Sequence, residues 1–480
     1  MKSVGWVFAG KIAGRGMSVI KMVVLARLLD PRDFGLFGIV MLAIATLQTF
    51  SRTGFNAALI QNQENTDDYL DTAWTIQAIR GLVLAGVLFA AAPLVSAFFD
   101  EPRATALLRV MCISVAVGGF RNIGIIYFRK ELKFHKQVLF NTGSAVISLI
   151  VGVILAYHLR SVWALVWAGL ANGISTCLLS YLLHPYRPRL RLEPHKAKQL
   201  FNFGGWVLLS GILIFINQNG DDAFVGKVLG AASLGVYQLA YRLSNAPATE
   251  LTHVISSVTF PAYSQIQNDI ERFRRAYLRV LKLTMLLAAP IAAGIAAVAP
   301  TFVIVFLGRR WLSAIVPLQI LSVFGLERAF NATAGPVFYA SNNPSVSARI
   351  PILRLVGIVT LIWPLTQWFG ISGTSLTAVL SSIPVCIAAV WFLMHILDMK
   401  PTQFALVLWK PVISSIVMFA VVRGMGMATP QTFIWFVVQV ITGMAVYFIL
   451  IMSLSKNKVL MDLFSLLRNF KPGPASMPNG

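Results

Sequence analysis

The first apolar run of this chain carries three cations: Lys11, Arg15 and Lys21 all lie between Trp6 and Ala26. A charge at the centre of a bilayer costs from about 2.5 kcal/mol upward. A chain that keeps three in one span offsets that cost with a water-filled cavity or an anionic partner. At about 1.5 Å per residue, Arg15 falls roughly 13 Å from the N-terminal end of the span, close to the midplane. Lys11 is one turn nearer that end and Lys21 lies toward the other. Lys11 and Arg15 are about 40° apart around the helix, and all three fit an arc of roughly 120°, so one face can aim them at a cavity. Arg242 falls at a similar mid-depth in a later span. The chemistry these residues suit is anion binding. Arginine offers a planar fork that holds two oxygens at once, and lysine offers a point charge.

Arg52, Arg80, Arg121 and Arg354 sit in the same half of the bilayer as the N-terminus. Two readings stay open for them and for Lys11. They line an anion site, or they snorkel, the long stem carrying the charged head to the interface. Another span is polar without being basic and holds Asn217, Gln218, Asn219, Asp221 and Asp222. Its amides suit sugar hydroxyls. Its carboxylates suit a gate with Lys21, a permanent interhelical pair, or a proton or sodium site. Glu250, His253, Glu327 and Arg328 read as buried bracing near span ends. The three cysteines, Cys112, Cys177 and Cys386, lack metal-ligand spacing and read as small buried hydrophobes. No metal site is expected.

These residues must be positioned by membrane helices. Of 480 residues, 57% are hydrophobic and only 12% charged, against roughly 25% charged in a soluble chain. A soluble globule of this composition would show a largely apolar surface, whereas a bilayer removes that problem. The net charge of +22 reads as topology signals and lipid contacts rather than nucleic-acid binding. Apolar stretches predict an all-α membrane protein of about fourteen spans, at 6–29, 34–60, 73–99, 104–128, 137–157, 161–183, 203–226, 233–258, 280–307, 312–340, 347–369, 371–394, 404–425 and 431–454. Lys and Arg crowd one set of loops: 129–136, 187–198, 272–282 and the tail from 456. That side is expected to be cytoplasmic, with both termini on it. The segment 270–279 reads as a basic amphipathic helix on the cytoplasmic surface.

The halves echo each other. Arg27-Leu28-Leu29-Asp30-Pro31-Arg32-Asp33-Phe34-Gly35 aligns with Lys227-Val228-Leu229-Gly230-Ala231-Ala232-Ser233-Leu234-Gly235 at an offset of 200 residues. Pro93 with Phe98 and Phe99 is echoed by Pro300 with Val305 and Phe306. The echoes predict two pseudo-symmetric six-helix lobes, 1–195 and 196–400, an extra helix pair at 401–455 and a cytoplasmic tail at 456–480, with the cavity between the lobes. The offset sets Lys21 against Asp221, which is what suggests the gate.

The run Ala26–Gly35, Gly54-Phe55, Ala58–Gln61, Asp68–Trp74, Tyr237–Leu243 and Phe260–Ser264 resembles the polysaccharide flippases of the multidrug/oligosaccharidyl-lipid/polysaccharide exporter superfamily, of the teichuronic/colanic-acid exporter type. The resemblance covers nearly the whole chain. It implies a non-enzymatic inner-membrane flippase that moves an undecaprenyl-diphosphate-linked oligosaccharide, an O-antigen or exopolysaccharide repeat unit, by alternating access. Arg15, Arg242, Lys11, Arg52, Arg80, Arg121 and Arg354 then become candidates to hold the diphosphate. The partners expected are the lipid-linked sugar, membrane lipids, and the polysaccharide polymerase and chain-length machinery. No cofactor is expected, and coupling to H⁺ or Na⁺ is the open alternative. The GxxxxGK[ST] nucleotide motif is absent. The rival readings are a cation-coupled drug antiporter of the same superfamily and, less favoured, a membrane polysaccharide polymerase.

Overall fold

A computed structural model describes residues 2–51, 66–131, 133–193 and 204–455; within these, the side chains of 2–13, 15, 66–68, 129, 134, 204–210, 246–254, 256–258, 344, 348 and 455 are left aside. The expected cytoplasmic tail, Arg52 and the motif residues Gly54 to Gln61 lie outside the described residues. So do the side chains of Lys11, Arg15, Glu250 and His253.

Among the described residues the chain is helical, without strands. The first six long helices are α1 (Lys2–Leu28), α2 (Pro31–Phe50), α3 (Thr66–Phe98), α4 (Arg103–Gly119), α5 (Phe134–Leu159) and α6 (Trp163–Leu183). After 194–203 come α7 (Gly204–Val228), α8 (Gly230–Ser264), α9 (Ile270–Phe302), α10 (Ile315–Ala340), α11 (Pro344–Leu380), α12 (Ser382–Leu397), α13 (Pro401–Ala428) and α14 (Phe433–Ser455). Nine stretches among the described residues are long and apolar enough to cross a membrane, and this is a multi-pass all-α membrane protein. Helices are the form that satisfies every backbone group inside lipid.

Local chemistry sets the breaks. Pro31 opens α2, where Asp33 Oδ2 accepts from the Asp30 backbone N–H at 3.3 Å. Gly230 turns the chain between α7 and α8 at φ 79°. Within α11 the chain folds back at Gly370 (φ 57°, ψ −135°). The Thr366 and Thr374 hydroxyls meet at 2.9 Å across that turn and Thr377 Oγ1 donates to the Leu361 carbonyl at 3.4 Å, so 361–369 and 371–377 run antiparallel. Two boundaries differ from expectation. α4 stops at Gly119, short of residue 128. There Asn122 leaves the helix, its Oδ1 accepting from the Gly124 N–H at 2.9 Å while its own N–H donates to Ser180 Oγ at 2.9 Å. Segment 270–279 is not a separate surface helix but the opening turns of α9. Phe273 and Tyr277 bury in a core with Tyr263, Phe338, Leu393 and Phe404.

The chain forms two compact units. One comprises Met1–Leu243, Phe306–Pro317 and Arg354–Thr377; the other comprises Ser244–Val305, Leu318–Leu353 and Ala378–Gly480. The first unit extends to Leu243, and inside it α2 and the start of α8 meet backbone to backbone. A methyl group built on Gly35 of α2 would fall on the Ala231 carbonyl of α8, and one on Gly235 would fall on the Pro31 carbonyl. Ala231 and Gly235 are Pro31 and Gly35 plus 200, so the contact is reciprocal at the offset of the repeat.

A side chain at either glycine must therefore push the helices apart. Gly35→Val is expected to abolish monodisperse protein on detergent size-exclusion chromatography. Gly86→Ala, with open space around its Cβ position, should leave the elution profile unchanged.

Candidate functional site

Helices α7 and α8 form a hairpin within the first unit, and two successive acids on one face two successive donors on the other. Tyr237 Oη donates to Asp221 Oδ2 at 2.6 Å, and Gln238 Nε2 donates to Asp222 Oδ2 at 2.9 Å. Both pairs are 16 residues apart, closing symmetrically about the turn at Leu229 and Gly230. Tyr237 is fully buried. The carboxamide of Gln238 lies over Gly38 of α2, where a Cβ would approach Oε1 to 2.5 Å. The side chain of the second repeat thus fills a space that the first repeat leaves empty. Two amides of α7 turn to their own helix: Asn217 Nδ2 donates to the Leu213 carbonyl at 3.1 Å and Asn219 Nδ2 to that of Phe215 at 3.2 Å. Gln218 is exposed.

Two arginines act on this acid pair, and one of them also acts on Lys21. Arg354 of α11 acts on Asp221, and Arg242 of α8 acts on both Asp222 and Lys21 through space. Arg242 is exposed although it sits in the interior of a long helix, and only water or a polar ligand makes that position tolerable inside a membrane. Lys21 does not meet Asp221 or Asp222 here, contrary to the pairing that the repeat suggests. Its stem passes over Gly152 of α5, Nζ donates to Ser148 Oγ at 2.6 Å, and Ser148 passes the bond to the Ala168 carbonyl of α6 at 2.8 Å. The helical rotation that decides between these partners is set by packing, which spacing alone does not reveal.

The remaining arginines divide. Arg80 braces α3 against the end of α2, with Nε and Nη2 on Ser51 Oγ at 3.1 and 2.9 Å and Nη2 on the Gln48 carbonyl at 3.1 Å. Arg121 stands past the end of α4 and acts on Cys177 of α6. Neither is brought to the cluster of Lys21, Asp221, Asp222, Arg242 and Arg354.

Sequence reading passed over a second feature, at the end where α1 meets α2 and α7 meets α8. Arg32 Nη2 grips both oxygens of Glu101, at 3.2 and 3.0 Å. Lys227 Nζ meets Asp100 at 2.6 Å, Arg310 Nη1 meets Asp30 at 2.8 Å, and Trp311 Nε1 donates to the Ala26 carbonyl at 2.8 Å. The Arg32–Glu101 pair lies within the first repeat, while the Lys227, Arg310 and Trp311 bonds join residues before 195 to residues after it at that end of the unit. The available signal was that the loops poor in Lys and Arg each set a cation against a nearby acid: Asp30, Asp33, Asp100 and Glu101.

A hydrogen-bonded acid pair with two arginines acting on it, inside a bundle of membrane helices related by an internal repeat, defines a membrane transporter of ionic or lipid-linked cargo rather than a soluble binding module. The chain belongs to the polysaccharide biosynthesis protein family, whose model matches residues 24–316. It is 26% identical over 414 residues to the lipopolysaccharide biosynthesis protein WzxC of Escherichia coli, covering 86% of this chain and 84% of WzxC. It is 23% identical to the succinoglycan biosynthesis transport protein ExoT of Rhizobium meliloti, covering 99% of this chain and 97% of ExoT. The fold is shared with the lipid II flippase MurJ in its inward closed conformation, with a TM-score of 0.75 at 16% identity over 94% of this chain and 99% of that one.

Two stability outcomes follow. Tyr237→Phe leaves a buried carboxylate short of its donor and is expected to cost about 1–3 kcal/mol, read as a lowered melting temperature of the purified protein. Glu101 is only 9% exposed but Asp30 is 59% exposed. Arg32→Ala is therefore expected to cost about 1–2 kcal/mol and Arg310→Ala less than about 1 kcal/mol, compared in the same melt.

Proposed function

We propose that this chain is a flippase that carries an undecaprenyl-diphosphate-linked oligosaccharide, an O-antigen or exopolysaccharide repeat unit, from the inner to the outer leaflet of the bacterial inner membrane. The observation that carries the reading is Arg242, exposed inside a long helix and close enough to Lys21 for their charges to act on each other. Two such cations side by side repel, and an anion placed between them relieves the repulsion. A diphosphate offers many oxygens to a guanidinium fork and an ammonium. The family supports the cargo class. Lys11 and Arg15, on the same helix as Lys21, are proposed to extend the cationic path toward the N-terminal, cytoplasmic end. Arg354, drawn to Asp221, is proposed to bind substrate when the acid pair is neutralised. Arg80 and Arg121 are proposed to shape the entrance rather than touch the diphosphate.

Asp221 and Asp222 are the proposed coupling groups, taking up a proton or a sodium ion and releasing Arg242 and Arg354 to the cargo. Lys21 serves as a gate only after it leaves Ser148. Both termini are placed in the cytoplasm by the charge bias of the loops, and the polysaccharide polymerase and chain-length machinery are the proposed downstream partners. A cation-drug antiporter fits less well, because Lys21, Arg242 and Arg354 outnumber the two carboxylates beside them.

In a strain lacking this chain, the lipid-linked repeat unit is expected to accumulate in the inner leaflet and to be cleared by the wild-type protein. Arg242→Ala is expected to cut export at least tenfold while keeping normal membrane abundance. Full export by a folded Arg15→Ala, Arg242→Ala double variant would sink the diphosphate assignment.

A further inference from the structure

After α6 the chain leaves helical structure and runs as an irregular strap from His184 to Glu193 across the first turns of α3. Its backbone is clamped at several points. Asp71 Oδ1 accepts from the Tyr186 hydroxyl and from the Arg189 N–H, the latter at 3.0 Å. Thr75 Oγ1 accepts from the Arg191 N–H at 3.1 Å, and Asn122 Nδ2 donates to the Tyr186 carbonyl at 2.7 Å. Asn122 is itself wholly buried. A surface loop needs no such anchoring, and the clamp fixes what the strap displays. Arg187, Arg189 and Arg191 are all exposed, and Leu190 and Leu192 between and beside them are 81% and 53% exposed.

The level of the strap follows from its neighbours. It begins directly after the apolar α6, and Trp74, Tyr69, Tyr127 and Tyr186 gather beneath it in one small core. Tyr181 donates to the Phe120 carbonyl at 2.8 Å, and Arg187 lies 5.9 Å over its ring. Such a collar of Trp and Tyr sits at headgroup depth. Glu131, Lys136, Lys133 and Arg187 all bear on His184, and since Lys133 is paired with Glu131, it is Lys136 and Arg187 that extend the positive charge around the strap. Exposed leucines at that depth meet acyl chains, and arginines beside them meet phosphates.

We infer that the strap 184–193 is a built site for anionic phospholipid headgroups of the leaflet at this end of the protein, held in place by Asp71, Thr75 and Asn122. It does not depend on the cargo assignment, since it takes bulk lipid rather than the transported molecule.

The test is native mass spectrometry of the full-length protein in detergent, titrated with phosphatidylglycerol or phosphatidylcholine. At about fivefold per arginine, Arg187→Ala, Arg189→Ala, Arg191→Ala together should weaken phosphatidylglycerol binding on the order of a hundredfold, with phosphatidylcholine unaffected. Arg272→Ala, Arg275→Ala, Arg279→Ala removes the same charge from α9 and should change it less than threefold. Asp71→Ala keeps every arginine but removes the acceptor of the Tyr186 hydroxyl and the Arg189 N–H, and should weaken binding several-fold. Equal losses in the two triple variants, wild-type affinity in Asp71→Ala, or displacement of phosphatidylglycerol by inorganic diphosphate would each overturn the assignment.

Discussion

Everything in the first unit depends on two helices touching without side chains between them. α2 and α8 approach so closely that Gly35 rests on the carbonyl of Ala231 and Gly235 on that of Pro31. Contact at backbone distance fixes position and rotation together, because no flexible group is left to absorb a slip. Buried interiors are close-packed and transmit such constraints. The pair of contacts is reciprocal, so it fixes how α2 and α8 cross. With that crossing set, Gln238 can reach only the space over Gly38, and Tyr237 and Gln238 face Asp221 and Asp222.

The α2–α8 contact is reciprocal at the 200-residue offset, but the chemistry at equivalent positions is not. Lys21 and Asp221 are equivalent by offset, yet each finds a different solution to being a charged group inside a membrane bundle. The lysine takes a hydroxyl relay, Ser148 to the Ala168 carbonyl. The aspartate takes a tyrosine hydroxyl. The two positions correspond by sequence offset, yet their different partners keep them from neutralising each other. Arg242 acts on Lys21 and on Asp222, and Arg354 acts on Asp221, so the arginines bear on both the lysine and the acid pair.

The two ends of the unit carry opposite designs. Where α1 meets α2 and α7 meets α8, cations are spent on carboxylates, within the first repeat for Arg32 with Glu101 and across the halves for Lys227 with Asp100 and Arg310 with Asp30. At the other end, Asp71 engages a hydroxyl and backbone, leaving Arg187 and Arg189 displayed while Arg191 pairs with Glu193 at 3.1 Å. Paired charges hold surfaces together, and displayed charges attract a partner. The same residue types therefore close one end and open the other to its surroundings.

The sequence by itself determined the class of fold. Few charges in long apolar runs force membrane helices, and the Gly35 and Gly235 echo marks the repeat. Mid-span Lys21 and Arg242 mark a polar interior, because lipid does not tolerate charge without a partner. The acid pair was visible for the same reason, and its donors stood in the Tyr237-Gln238 motif 16 residues on. Only the tertiary structure decided partners. Whether Lys21 met Asp221 or Ser148, whether Arg80 lined a site or braced Ser51, and which loop cations paired with Asp100 and Glu101 all turned on helix rotation and crossing distance. Those are set by packing between segments far apart in the chain, such as Gly152 yielding room for the Lys21 stem. Hydropathy records how deep a residue lies in the membrane, but not which way it faces.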